Sequence, residues 1–126
     1  MKIHRLDHVN IRTTRLEDMV DWYTNVLGLS QGFRPKFSFP GAWMYVDDAA
    51  LVHLVGIDGE PDVGSGASLK LEHFAFSATG GAGFEENLRA HGVDYRRVDI
   101  QEINLYQVNL RDLDGNHIHV DFPLDE

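Results

Sequence analysis

The chain carries seven histidines and no cysteine. Four of the histidines fall into two matched pairs. His8, in LDHVNI, stands 65 residues before His73 in LEHFAF, and His53, in ALVHLVGI, stands 66 before His119 in NHIHVDF. A single histidine in such a run is ordinarily a partly buried residue, hydrogen-bonded to backbone or to a nearby acid, here Asp7, Glu72 or Asp121. Four at matched places in a repeat point instead to one centre. Neutral imidazole nitrogens suit a divalent ion such as Fe, Zn, Ni, Co or Mn, so the expected cofactor is one such ion, held by His8, His53, His73 and His119.

Each histidine lies in a short alternating run that reads as a strand, whose side chains point to opposite faces in turn. His8 then shares a face with Leu6 and Asn10, His73 with Leu71 and Ala75, and His53 with Leu51 and Val55. His119 shares one with His117 and Asp121. His117 stays open as a donor behind the metal, a pocket wall, or the ligand itself in place of His119. If a proton must move, the candidate catalytic groups are His119, should it leave the metal, His117, Asp121, or Glu102. Asp121 is equally readable as a partner fixing an imidazole or as an exposed strand end. His4 and His91 have no counterpart and read as surface or helix-terminal residues.

The elements that position these groups are themselves repeated. After LDHVNI comes TTRLEDMVDWYTNVLGL, a helix that Thr14 can cap with Glu17 at its third position. Met19, Tyr23, Val26 and Leu27 share its apolar face, and Gly28 ends it. After LEHFAF comes SATGGAGFEENLRAHGV, with Phe84, Leu88 and His91 at helical spacing and Gly92 as the stop. Gly80, Gly81 and Gly83 weaken the first turn, which predicts a late start. Three strand-like runs follow each helix: SQGFRPKF, WMYVD and ALVHLVGI, then YRRVDI, INLYQVNL and NHIHVDF. Turns fall at Asp47-Asp48 and Asp114-Gly115.

The order is βαβββ twice, in modules 1–57 and 70–124 of a single domain, joined by the glycine-rich linker 58–69. One helix can cover only one face of a sheet, so two such units must share something, either by lining a common curved sheet or by swapping with a second chain, and the concave face is the natural pocket. The expected class is therefore α+β, with paired βαβββ modules forming a curved, partly open mixed sheet around a metal pocket.

The pieces DHVNI, WYTNVLGL, LVHLVG, LEHFAF and DLDGNHIHVDFP together resemble the vicinal oxygen chelate superfamily. That superfamily contains glyoxalase I, methylmalonyl-CoA epimerase, extradiol ring-cleaving dioxygenases, and fosfomycin and bleomycin resistance proteins. The resemblance implies metal ligands from the first and last strand of each module: His8, His53, His73 and the residue after Gly115-Asn116-His117-Ile118. The family usually has glutamate at that last place, and this chain has His119. Four neutral ligands would leave the ion more of its +2 charge, favouring a substrate that chelates through adjacent oxygens and becomes anionic. The implied activities are ring-cleaving dioxygenase first, then glyoxalase-like lyase or isomerase, with non-catalytic binding or resistance as the rival. The resemblance also implies a homodimer.

Composition narrows the partners. The net charge is -9, from 20 acidic and 11 basic residues, and no Lys/Arg run could track a phosphate backbone, so nucleic acid is not an expected partner. No segment approaches the roughly 20 apolar residues of a membrane span, and MKIHRLDHVN has no signal-peptide core. The expectation is a cytoplasmic protein acting on a small molecule, with no membrane partner. No phosphate-binding glycine motif or nucleophile elbow is present. RPKFSFPGAW offers Phe37, Phe39 and Trp43 as an apolar wall, for a flat substrate, core packing or a dimer contact. Tyr45, Tyr106 and Asn104 are either pocket walls or ordinary sheet packing.

Overall fold

The computed structural model describes residues 1–2, 4–61 and 71–126. The chain divides into two compact units, Met1–Asp62 and Val63–Glu126. Most of the expected linker lies outside the described residues. The first unit runs β1 (Val9–Thr13), α1 (Leu16–Asn25), β2 (Ser30–Gly32), β3 (Gly41–Val46) and β4 (Ala49–Gly56). The second runs β5 (Phe74–Ser77), α2 (Gly81–Ala90), β6 (Tyr95–Ile100), β7 (Leu105–Arg111) and β8 (His117–Pro123). Both units are βαβββ, as the repeat predicts. No helix among the described residues is long and apolar enough to cross a membrane.

The two mixed sheets have the same topology, β1-β4-β3-β2 and β5-β8-β7-β6. In each, the first strand runs parallel to the last and the remaining pairs are antiparallel. This order brings the matched histidines of each unit together. The first and last strands are hydrogen-bonded neighbours, although their paired residues, such as Val9 with Val52 and Phe74 with Ile118, lie far apart in sequence.

Helix α1 forms where the apolar positions recur at helical spacing, and it buries Met19, Trp22, Tyr23 and Val26. Ala42 and Met44 of β3 and Val52 and Leu54 of β4 are buried beneath it. The alternate residues, Trp43, His53 and Val55, take the other face of the sheet. The helix stops at a left-handed glycine. Gly28 has φ 75°, the N–H of Leu29 donates to Tyr23 O at 3.0 Å, and that of Gly28 donates to Thr24 O at 3.1 Å. Thr14 does not cap the start: Arg15 is the N-cap residue, without a side-chain cap. The Thr14 hydroxyl donates instead to Glu60 O at 3.4 Å, while Thr13 Oγ1 accepts from the Arg15 N–H at 3.1 Å.

Helix α2 starts at Gly81, with no delay. The Glu126 carboxylate accepts from the N–H groups of Gly80 and Gly81, each at 2.8 Å, satisfying two donors that a helix start leaves open. A Cβ at Gly81 would collide with the Tyr106 hydroxyl. Gly81 thus serves close packing, and Gly80 takes a left-handed φ of 80° ahead of it. Tyr106 stacks on Phe122 at 5.2 Å, and Phe84 of α2 meets the same ring at 5.7 Å.

Two other strand runs are shorter than the sequence suggests. Only Ser30–Gly32 of SQGFRPKF pairs, since Pro35 has no N–H to continue the ladder. INLYQVNL loses its first two residues to a 3-10 turn, Gln101–Ile103, and to Asn104 in the left-handed region at φ 50°. The loop into β8 is tied by Asp112, whose carboxylate accepts from the N–H groups of Asp114 (3.0 Å) and Asn116 (2.9 Å) and from Asn116 Nδ2 (2.8 Å). That loop delivers His117 and His119.

Candidate metal centre

In the second unit, Ile118, Val120 and Phe122 take one face of β8 and are buried in the core. Alternation leaves His117, His119 and Asp121 on the other face. His73 sits one residue ahead of β5, beside β8. The rings of His73 and His119 stack at 4.0 Å with an interplanar angle of 10°. His117 meets them edge-on, at 4.7 Å from His119 and 5.6 Å from His73. One nitrogen from each of the three lies within 4.8 Å of the others, an arrangement that could coordinate a divalent metal.

Glu72 holds two of the three rings. One carboxylate oxygen accepts from His73 Nδ1 and the other from His117 Nδ1 at 2.9 Å. These bonds, that to His73 first, draw the Glu72 carboxyl down to about 2. With Nδ1 of His73 donating, the lone pair is left on Nε2. His117 Nε2 is also engaged, 3.2 Å from Asn109 Oδ1. His119 differs: it is 8% exposed, and its Nδ1 is buried without a hydrogen-bond partner. Burial, then the neighbouring His73 and His117, lowers its pKa, which favours the neutral imidazole that a metal requires. Asp121 is half-buried and its pKa is raised by burial; its Oδ1 has no partner. Asp121 makes no hydrogen bond to His119 among the described residues.

The first unit repeats the pattern. His8 and His53 stack at 3.8 Å and 10°, and Trp43 stacks on His53 at 4.0 Å and 10°. His8 Nδ1 donates to Asp7 Oδ2 at 2.8 Å, which draws the Asp7 carboxyl down. His53 Nε2 donates to Ala50 O at 3.1 Å, leaving Nδ1 to accept or ligate. The pKa of His53 is lowered, chiefly by burial. The acid-histidine step in LDHV and LEHF is therefore a working pair in both units: the carboxylate fixes the ring and its tautomer.

Some expectations change. His8 and His73 precede the first paired residues of their strands, and Leu71 is exposed, so LEHFAF is not a buried strand along its length. Tyr106 faces the helix and is core. Tyr45 lies over Gly32 and donates to Phe33 O at 2.6 Å, bracing the sheet edge. Asn104 and Glu102 belong to the turn before β7. His4 is exposed, and His91 ends α2 with Nδ1 donating to Asn87 O at 2.9 Å. Sequence reasoning missed Asn109, which is visible only through its cross-strand register with His119.

A search among curated protein sequences finds no significant match. The fold is similar to that of a glyoxylase/bleomycin resistance protein/dioxygenase domain from Frankia sp. EAN1pec, with TM-score 0.82 and 19% identity over 97% of this chain and 99% of that one. It is also similar to a proposed glyoxalase family protein from Bacillus anthracis, with TM-score 0.75 and 18% identity over 98% of each chain. A third similar structure is a mutant of the fosfomycin resistance protein FosX from Listeria monocytogenes, complexed with Mn(II) and 1S,2S-dihydroxypropylphosphonic acid. It has TM-score 0.72 and 13% identity over 97% of this chain and 94% of that one. At these identities the structures speak to fold. The family model of the Glyoxalase/Bleomycin resistance protein/Dioxygenase superfamily matches residues 5–120, nearly the whole chain, and the chain belongs to that superfamily.

Proposed function

We propose that the chain is a divalent-metal-dependent enzyme acting on a small substrate that chelates through adjacent oxygens, with ring-cleaving dioxygenase as its reaction class. The metal ligands in this reading are His8, His53, His73 and His119. One observation carries it: the buried, unpartnered Nδ1 of His119 in a cluster of three imidazoles. An orphaned buried nitrogen costs about 1–3 kcal/mol unless something takes its lone pair, and a cation does so. When bound, the ion would act as a Lewis acid toward a chelated oxygen or, if iron, activate dioxygen.

The chain's own groups prepare that site. Asp7 and Glu72 hold His8 and His73 with Nδ1 protonated, which leaves the lone pair for an ion on Nε2. His117, with both ring nitrogens engaged, acts as a fixed wall beside His119. In this reading Asp121 holds the proton, a role supported by its unpartnered Oδ1. FosX, a fosfomycin resistance protein of the same fold in complex with Mn(II), supports metal use on this scaffold.

The test is metal content per chain in protein purified without a metal-affinity tag, alongside His119→Ala. Near one Fe, Zn, Ni, Co or Mn per chain, lost in the variant, is the expected result. No binding in either protein after loading with excess divalent ions overturns the reading. Metal-loaded protein is then exposed to a catechol and oxygen: ring cleavage is expected, and oxygen-independent turnover of methylglyoxal with glutathione would move the assignment to a lyase.

A further inference from the structure

The first unit contains a cavity of about 560 Å³ on the sheet face opposite α1, bounded entirely by residues of that unit, a size ordinary for a small-ligand site. One wall is the ring stack of Trp43, His53 and His8. Another is formed by Phe37 and Phe39, stacked at 5.3 Å and 7°. Phe37 and Phe39 are 46% and 45% exposed, so large apolar rings are left facing solvent across an open space. That arrangement is stable in water only at a cost that a bound apolar body removes.

The guanidinium of Arg34 is built into this wall. It lies 4.9 Å from the Phe37 ring and 5.0 Å from the Phe39 ring, and its Nη2 donates to Phe39 O at 3.1 Å. Gly41 leaves room for it, since a Cβ there would stand 2.8 Å from Nη2. Among the described residues no carboxylate pairs with Arg34. Arg5 also borders the cavity, as do Asp7, which is tied to His8, and Asp48. Phe37 meets Trp43 at 6.4 Å and 47°, so the two stacked walls join at an angle; exposed aromatic surface of this kind suits a planar aromatic body, and a preset guanidinium with free N–H groups selects a carboxylate.

We infer that this cavity binds an aromatic carboxylate, with the ring against the aromatic walls and the carboxylate on Arg34. The inference names the substrate class of the proposed enzyme and deepens that reading, but its geometry does not depend on the metal. The experiment is therefore done on chelator-treated, metal-free protein. Calorimetric titration with 2-naphthoate is compared with 2-naphthylmethanol, which lacks the charge, and cyclohexanecarboxylate, which lacks the aromatic ring.

Saturable binding of 2-naphthoate is expected, at least about tenfold tighter than either control. Arg34→Gln should bring 2-naphthoate down to the level of the alcohol, and Phe39→Ala should weaken 2-naphthoate and the alcohol alike. Both residues lie in the segment between β2 and β3, outside the core, and circular dichroism verifies the fold of each variant. Equal affinity for the saturated acid overturns the aromatic selection. An unchanged Arg34→Gln variant overturns the anchor. No binding, with Trp43 emission that shifts on dilution, overturns the inference in favour of a second copy of the chain covering the cavity. Metal uptake without naphthoate binding would sink this inference alone, and naphthoate binding by a protein that takes up no metal would sink only the metal reading.

Discussion

Replacing Glu72 by alanine removes acceptors from two imidazoles at once, freeing His73 and His117 to rotate and to change tautomer. Partners of this kind typically contribute about 10–100-fold to metal affinity. Glu72→Ala is therefore expected to weaken metal binding by about that factor, and Glu72→Gln, which keeps one strong acceptor, by less. A chelator-competition titration reads both, and equal affinity in all three proteins would show that the carboxylate does not orient the ligands. The sequence displayed the histidines plainly, because strand parity and the repeat depend on spacing alone. It offered Asp7 and Glu72 only as generic neighbours. Which nitrogen an acid fixes depends on where the chain leaves the strand, and both His8 and His73 stand just outside theirs, where backbone geometry is not dictated by a ladder. His117 shows the same boundary: its face was legible, whereas its engagement by Glu72 and Asn109 is a matter of tertiary contact.

At the scale of elements, the start of α2 is the instructive miss. Three glycines argue against an early first turn when weighed by propensity, yet the helix begins at Gly81 because Tyr106 occupies the space a side chain would take and Glu126 supplies the missing acceptors. Both partners are distant in sequence, so no local window contains the reason. Gly81→Ala is expected to cost about 1–3 kcal/mol, the usual penalty of overpacking, as measured by urea unfolding. Tyr106→Phe should recover part of that loss in the double variant, because it removes the hydroxyl but keeps the ring. Additive losses would mean that the collision is relieved some other way. By contrast, α1 and most strands were legible, since Met19, Tyr23 and Val26 recur at helical spacing and β1 alternates apolar and polar residues from Val9 to Arg12. The first-unit core follows from that pattern: Met44→Ala, at a fully buried position, is expected to cost about 2–5 kcal/mol.

For the whole molecule, the duplicated βαβββ order raises the question of how many ions a chain holds and through which residues. The four-histidine proposal draws one ligand pair from each unit, whereas the cluster of His73, His117 and His119 belongs to the second unit alone. The two make opposite predictions. If four histidines serve one ion, His8→Ala and His73→Ala should each lower affinity by at least about tenfold, and His117→Ala should cost less, through lost packing. If the second unit binds by itself, His8→Ala should leave affinity unchanged and His117→Ala should abolish it. The expected homodimer adds a further arm: sedimentation equilibrium should give twice the chain mass of 14.3 kDa. Equimolar mixing of His8→Ala with His73→Ala chains then decides where the ligands meet. Recovery of tight sites in the mixed dimers requires that an ion take its two pairs from different chains, because only then does a mixed dimer contain one intact set. Failure to recover, with dimers still formed, requires that each ion draw its ligands from one chain.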